Sequence, residues 1–163
     1  MYSLHCTKKL IDRIQEPIAA PVPTPTTRLG SWYATALFWR PQLMLAVNER
    51  TLLPVLMPLA PAAAIAHRFP AQLATVLAAH GIDQGFIERE VAAMAEVSFA
   101  KTASRSVVGI MNEFSFLAEG YRECLESFDL ITLTMRLAET PCKPIKYDSP
   151  AGLIKEIVRH QVV

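Results

Sequence analysis

Between Phe99 and Phe114 the chain reads FAKTASRSVVGIMNEF, and its first half holds the residue types that bind anions. Lys101, Thr102, Ser104, Arg105 and Ser106 supply two cations and three hydroxyls where a strand hands over to a helix. The first N–H groups of a helix have no partner within it and form a positive pole, so acidic residues are the usual choice there. Lys101 and Arg105 reverse that choice. Free N–H donors beside a cationic side chain suit a phosphate, a sulfate or a carboxylate. The plainer alternative has Ser104 capping the helix and Arg105 paired with Glu90 or Glu96. No glycine-rich loop precedes the helix, which sets aside a nucleotide-binding P-loop.

Other polar residues extend this candidate site. Asn112 lies seven residues beyond Arg105, two helical turns along the same face. Asn48, Glu49, Arg50 and Thr51 form a polar hairpin tip. Asn48 suits a turn through its side-chain bonds to its own backbone, and Arg50 is a partner for the helix start if the hairpin folds over it. The expected ligand-binding set is therefore Lys101, Thr102, Ser104, Arg105, Asn48, Arg50 and Asn112.

The four histidines, His5, His67, His80 and His160, lack metal-ligand spacing, so no metal is expected and each reads as a surface or half-buried residue. His5 and Cys6 are neighbours on a strand and point to opposite faces, which spoils them as a base and nucleophile. Trp32, Tyr33, Phe38 and Trp39, with Arg28 and Arg40, suggest a stacking surface for nucleic acid. Aromatic strands more often form core, and nucleic acid is the less favoured partner. No nucleophile elbow, zinc-protease motif or close acidic pair occurs, and no cofactor motif calls for a cofactor.

Composition bounds the answer. A chain of 163 residues fits one domain spanning 1–163. Its 16 basic and 15 acidic residues leave no global field, so any anion binding must be local. Apolar residues make up 52% and charged ones 19%, an apolar surplus that a second copy or a protein partner would cover. Cys6, Cys124 and Cys142 are widely spaced, which fits buried thiols in a reducing cytoplasm. The start of the chain lacks the apolar run of a signal peptide, and the Thr51–Ala66 stretch is too short and too proline-rich to span a bilayer. The expectation is a cytoplasmic protein without a membrane segment.

The elements that must position these residues follow from periodicity. Tyr2–Cys6 reads as a strand, and Leu10, Ile11 and Ile14 mark one face of a helix with Thr7 at its N-cap. Residues 16–30 carry Pro17, Pro21, Pro23 and Pro25 and read as a surface loop. Ser31–Trp39, Leu43–Val47 and Thr51–Met57 form an antiparallel three-stranded meander, with Pro54 at an edge or bulge. A helix from Pro70 or Ala71 to His80, a second capped by Asp83, a returning strand Val97–Thr102 and a helix from Ser104 to Gly120 come next. Residues 121–142 read as mostly helical, and Ser149 caps a last helix with Pro150 at its first position. Strands first, then mainly helices with one returning strand, define an α+β domain.

Three segments in order, LHCTKKLIDRI, LMLAVNERTLLPV and KTASRSVVGIMNEF, resemble a bacterial family known as domain of unknown function 6933. The resemblance covers most of the chain, with the APVPTPTT stretch and the C-terminal tail least supported. It implies a fold of mixed strands and helices and implies no reaction. Together these readings point to a non-enzymatic binding or interaction module of a bacterial cytoplasmic complex, with an anion site at a helix N-terminus. The alternative is an enzyme acting on a phosphorylated or nucleic-acid substrate, with Glu49 or Glu113 for acid–base work.

Overall fold

Tyr2–Cys6 (β1) is buried at every position, which requires packing on both faces of the sheet it joins. The structure, a computed structural model describing residues 1–124 and 129–162, provides that packing. Five strands lie in the order β4-β3-β2-β1-β5. They are β1, β2 (Trp32–Leu37), β3 (Leu43–Asn48), β4 (Pro54–Pro58) and β5 (Val97–Lys101). β2, β3 and β4 form the expected antiparallel meander. β1 runs parallel to both β2 and β5, so the sheet is mixed and the fold is α+β.

Alternation along the strands sorts the core into two layers. Tyr2, Leu4 and Cys6 point with Trp32, Ala34 and Met44 toward α1 (Lys8–Ile14), α2 (Ile65–Ala79), α3 (Gln84–Ala93) and α6 (Pro150–Val162). Tyr33, Leu37, Leu45 and Val47 face α4 (Arg105–Cys124) and α5 (Leu130–Leu137). On α4 the buried stripe is Val107, Ile110, Met111, Phe114 and Ala118, the three- and four-residue spacing read from the sequence. α4 continues past Gly120 to Cys124, where the exposed glycine crowds nothing. The expected helicity of 121–142 extends over residues 125–128, which lie outside the described residues.

Both sheet edges are partly covered. On β4, Gln72 Nε2 donates to the Leu56 carbonyl at 3.1 Å and Arg68 Nη1 to that of Pro58 at 2.9 Å. At β5 the loop residue Ile18 bridges to Phe99, whose carbonyl accepts from Ala19 N–H at 2.8 Å. Edge strands offer unpaired groups to other chains, and these carbonyls are occupied.

Four details differ from the sequence expectation. α2 begins at Ile65, so Pro70 lies inside the helix. Proline removes one donor, leaving the Ala66 carbonyl without its usual partner; Tyr2 Oη points to that oxygen at 3.4 Å. The apolar series Ile65, Phe69, Leu73 and Val76 runs through the proline and holds the helix on the core. β2 stops at Leu37, leaving Phe38 53% exposed. Residues 16–30 are not wholly at the surface: Thr27 and Leu29 are buried. Cys124 is exposed, whereas Cys6 and Cys142 are buried as expected.

α2 ends where Gly81 adopts φ +74°, with Ile82 N–H reaching back to the Leu77 carbonyl at 3.1 Å. Nothing lies within 4 Å of a Cβ built at Gly81, so the backbone alone sets the cost of a side chain. Gly81→Ala should lower the unfolding free energy by about 1 kcal/mol in denaturant titration, without changing the fold by circular dichroism.

Candidate functional site

β1 and β5 are neighbours that end side by side, with Cys6 paired to Lys101. From there the chain leaves in two directions: through Thr7 into α1 on one face, and through residues 102–104 into α4 on the other. Adjacent parallel strands whose connections part to opposite faces leave a crevice beyond their carboxyl ends. Both connections begin with cations, although the Lys9 ammonium lies over the Phe38 ring, 5.9 Å from its centroid. α1 opens with Lys8 and Lys9, α4 opens with Arg105, Lys101 ends β5, and neither helix has an acidic residue in its first turn.

The segment entering α4 is held by side chains of β1 and β2. His5 Nδ1 lies 2.9 Å from the Lys101 carbonyl, and because a carbonyl only accepts, that ring nitrogen carries the proton. The His5 ring stacks on Tyr33 with centroids 4.6 Å apart. Tyr33 Oη accepts from Ser104 N–H at 3.0 Å, and Ser104 Oγ accepts from Val107 N–H at 3.3 Å. Ser104 therefore caps α4, as the plainer reading requires. Arg105 does not follow that reading: among the described residues neither its side chain nor that of Lys101 forms an ion pair. Thr102, Ser104, Arg105 and Asn112 line an open depression of about 420 Å³ with Val108 and Gly109 between them. Four of the seven expected ligand-binding residues are thus brought together. Lys101 does not line it; it is exposed at the end of β5, paired with Cys6.

Asn48 and Arg50 do not join this group. β3 runs antiparallel to β2, so Asn48 pairs with Trp32 at the end of the sheet where β2 begins. Asn48 is fully buried. Its Nδ2 donates to the carbonyls of Leu29 at 2.9 Å and Ser31 at 3.3 Å. Its Oδ1 accepts from the N–H groups of Arg50 at 3.1 Å and Thr51 at 3.0 Å and from Thr51 Oγ1 at 3.1 Å. Arg50 Nη1 donates to the Arg28 carbonyl at 2.9 Å. This hairpin tip fastens the end of the proline-rich loop, and every hydrogen-bonding atom of the Asn48 side chain is engaged in doing so.

Glu90 completes that fastening and is unavailable to Arg105. It is buried, and its carboxylate accepts from the N–H groups of Arg28 at 2.9 Å and Leu29 at 3.1 Å. The remaining expectations sort cleanly. His5 and His80 are buried, whereas His67 and His160 are exposed. Trp32 and Tyr33 are core, which removes them from any stacking surface. Phe38 and Trp39 stay near the surface, beside the cations of Arg13 and Arg122 respectively. Burial pushes the Cys6 thiol up to about 12 and the Cys142 thiol up to about 11, so both are neutral and poor nucleophiles. Among the described residues no group of three His, Cys, Asp or Glu side chains is placed to hold a metal. Lys8 and Lys9 repeat the pattern of cations opening a helix, and the parallel pairing of β1 with β5 places the start of α1 at the same end of the sheet as Lys101.

The chain is thus an α+β protein with a mixed five-stranded sheet and a cationic crevice where two parallel strands part. Its family follows from comparison: the family model of DUF6933, a domain of unknown function, matches residues 3–153, and the chain belongs to that family, as its three motifs imply. No curated protein and no solved structure matches it. Among the described residues no helix is long and apolar enough to cross a membrane.

Two predictions follow from the loop fastening. Asn48→Ala leaves several buried partners unpaired and should cost roughly 2–3 kcal/mol of unfolding free energy, against little for Arg50→Ala at the exposed guanidinium. Burial raises the Glu90 carboxyl above the ordinary 4.5, opposed by the Leu29 and Arg28 N–H bonds and the nearby positive charges. The folded chain therefore takes up this proton before the unfolded chain does. The contribution is largest near and below the unfolded value and is lost as pH rises through the raised one. Relative to Glu90→Gln, the natural chain should lose stability as pH rises above the ordinary carboxylate value and through the raised one, measured by denaturant titration at each pH.

Proposed function

We propose that this chain is a non-enzymatic binding module of a bacterial cytoplasmic complex, whose ligand presents a phosphate or carboxylate group to the crevice at the start of α4. The observation that carries this reading is the depression lined by Thr102, Ser104, Arg105 and Asn112 at the start of α4, with no ion pair on Lys101 or Arg105 among the described residues. Arg105 and the free N–H groups of the first turn hold the anion, Lys101 supplies a second charge, and Thr102, Ser104 and Asn112 complete the polar lining. The fixed path of residues 101–104 supports the same reading, because a preorganised site loses less entropy on binding.

Binding is preferred to catalysis because neither acid–base candidate lines the depression. Glu113 acts on the Cys142 thiol, and Glu49 sits on the hairpin tip that fastens the loop. A protein partner or a second copy fits the surface as well. Phe116 is 78% exposed on α4, which gives such a contact an apolar side chain to cover.

Calorimetric titration with inorganic phosphate and with acetate tests the anion site. Lys101→Gln and Arg105→Gln should each weaken the bound anion by about tenfold. The affinity of the natural chain should fall as salt rises. Equal affinity in the natural chain and the doubly substituted chain would overturn the assignment.

A further inference from the structure

Far from the α4 crevice, the turn between α2 and α3 faces α6 across a cleft of about 510 Å³, lined by His80, Ile82, Asp83, Lys155, Val158 and Arg159. That volume falls in the range of small-molecule sites, about 300–1,000 Å³. Lys155 and Arg159 are one helical turn apart on α6, so both cations reach the same side. Both are exposed, and among the described residues neither has an ion-pair partner. His80 is 4% exposed, and its Nε2 is buried with no hydrogen-bond partner. Buried polar atoms are nearly always paired, so an orphan beside a cleft calls for explanation. Asp83 is already engaged, accepting from Phe86 N–H at 3.0 Å as the cap of α3.

We infer that this cleft is a second binding site, taking a small monocarboxylate with an apolar body. The carboxylate lies between Lys155 and Arg159, and the apolar body packs on Ile82 and Val158, both nearly buried. His80 provides the one further polar contact from within the protein. Two cations against one carboxylate leave a single positive charge in the lining, which one negative charge on the ligand matches. A dianionic phosphate would instead meet Asp83 and a largely apolar floor. Burial first, and then the Lys155 ammonium, lowers the His80 imidazole below its ordinary 6.5, with Glu139 opposing. The ring therefore faces the cleft neutral, able to accept or donate a hydrogen bond.

The test is titration of the full chain with hexanoate, following the His80 ring by carbon-edited NMR. The site predicts a saturable shift of the His80 ring signals. Lys155→Gln combined with Arg159→Gln should weaken that binding by about tenfold or more. Both positions are exposed, so the fold should persist, and an unchanged thermal midpoint checks this. Arg105→Gln should leave the hexanoate-induced shift of the His80 ring unchanged, which separates this site from the crevice at α4. A shift that never saturates, or one reproduced by sodium chloride at equal ionic strength, would overturn the inference. So would undiminished binding in the Lys155 and Arg159 variant, or shifts confined to residues 102–106.

Discussion

The parallel pairing of β1 with both of its neighbours is the constraint on which the rest of this fold depends. Antiparallel strands can be joined by two residues, whereas parallel ones need a crossover of a dozen or more. The chain meets that demand twice. Between β1 and β2 it inserts α1 and the proline-rich segment, and between β2 and β5 it inserts the meander, α2 and α3. The same pairing brings the carboxyl ends of β1 and β5 together, and α1 and α4 leave that point for opposite faces of the sheet. The crevice is a product of topology before any side chain is considered.

The two ends of the sheet then have different tasks. At one end, Asn48, Thr51 and Glu90 consume their hydrogen-bonding capacity on one another and on the loop ending at Leu29. At the other, Lys101 and Arg105 form no ion pair among the described residues. Stability does not explain this second arrangement. A surface ion pair is worth about 0–1 kcal/mol, so little is gained by pairing them. A cation at a helix N-terminus, however, opposes the helix dipole at a cost of about 0.3–1 kcal/mol. Arg105 sits where local energetics disfavour it, and an anion bound there reverses the sign of the effect.

Much of this was legible in the sequence, and what was not has definite physical causes. Local signals succeeded where one element decides its own shape. Asp83 caps α3, Ser149 caps α6, the α4 stripe is core, and three adjacent strands pair as a meander. Pro70 misled because its missing hydrogen bond is a local penalty, while the burial of Phe69 and Leu73 is a tertiary gain that outweighs it. The direction of β5 relative to β1 leaves no trace in periodicity, so the starts of α1 and α4 could not be placed at the same end of the sheet. Asn48 reads alike whether it binds a ligand or its own turn, and only its full burial decides between them. His80 hid for a similar reason: a lone histidine at a helix end reveals nothing until α6 is seen across the cleft.

Amide mapping by nitrogen-edited NMR during titration with inorganic phosphate tests the central claim most directly. If the crevice between α1 and α4 binds the anion, the amide signals of Thr102 through Ser106 will move saturably, with smaller shifts at Lys8 and Lys9. The hairpin tip around Asn48 will stay still. Saturable shifts at Asn48 through Thr51 with none at the start of α4, or no saturable shift anywhere, would contradict the account.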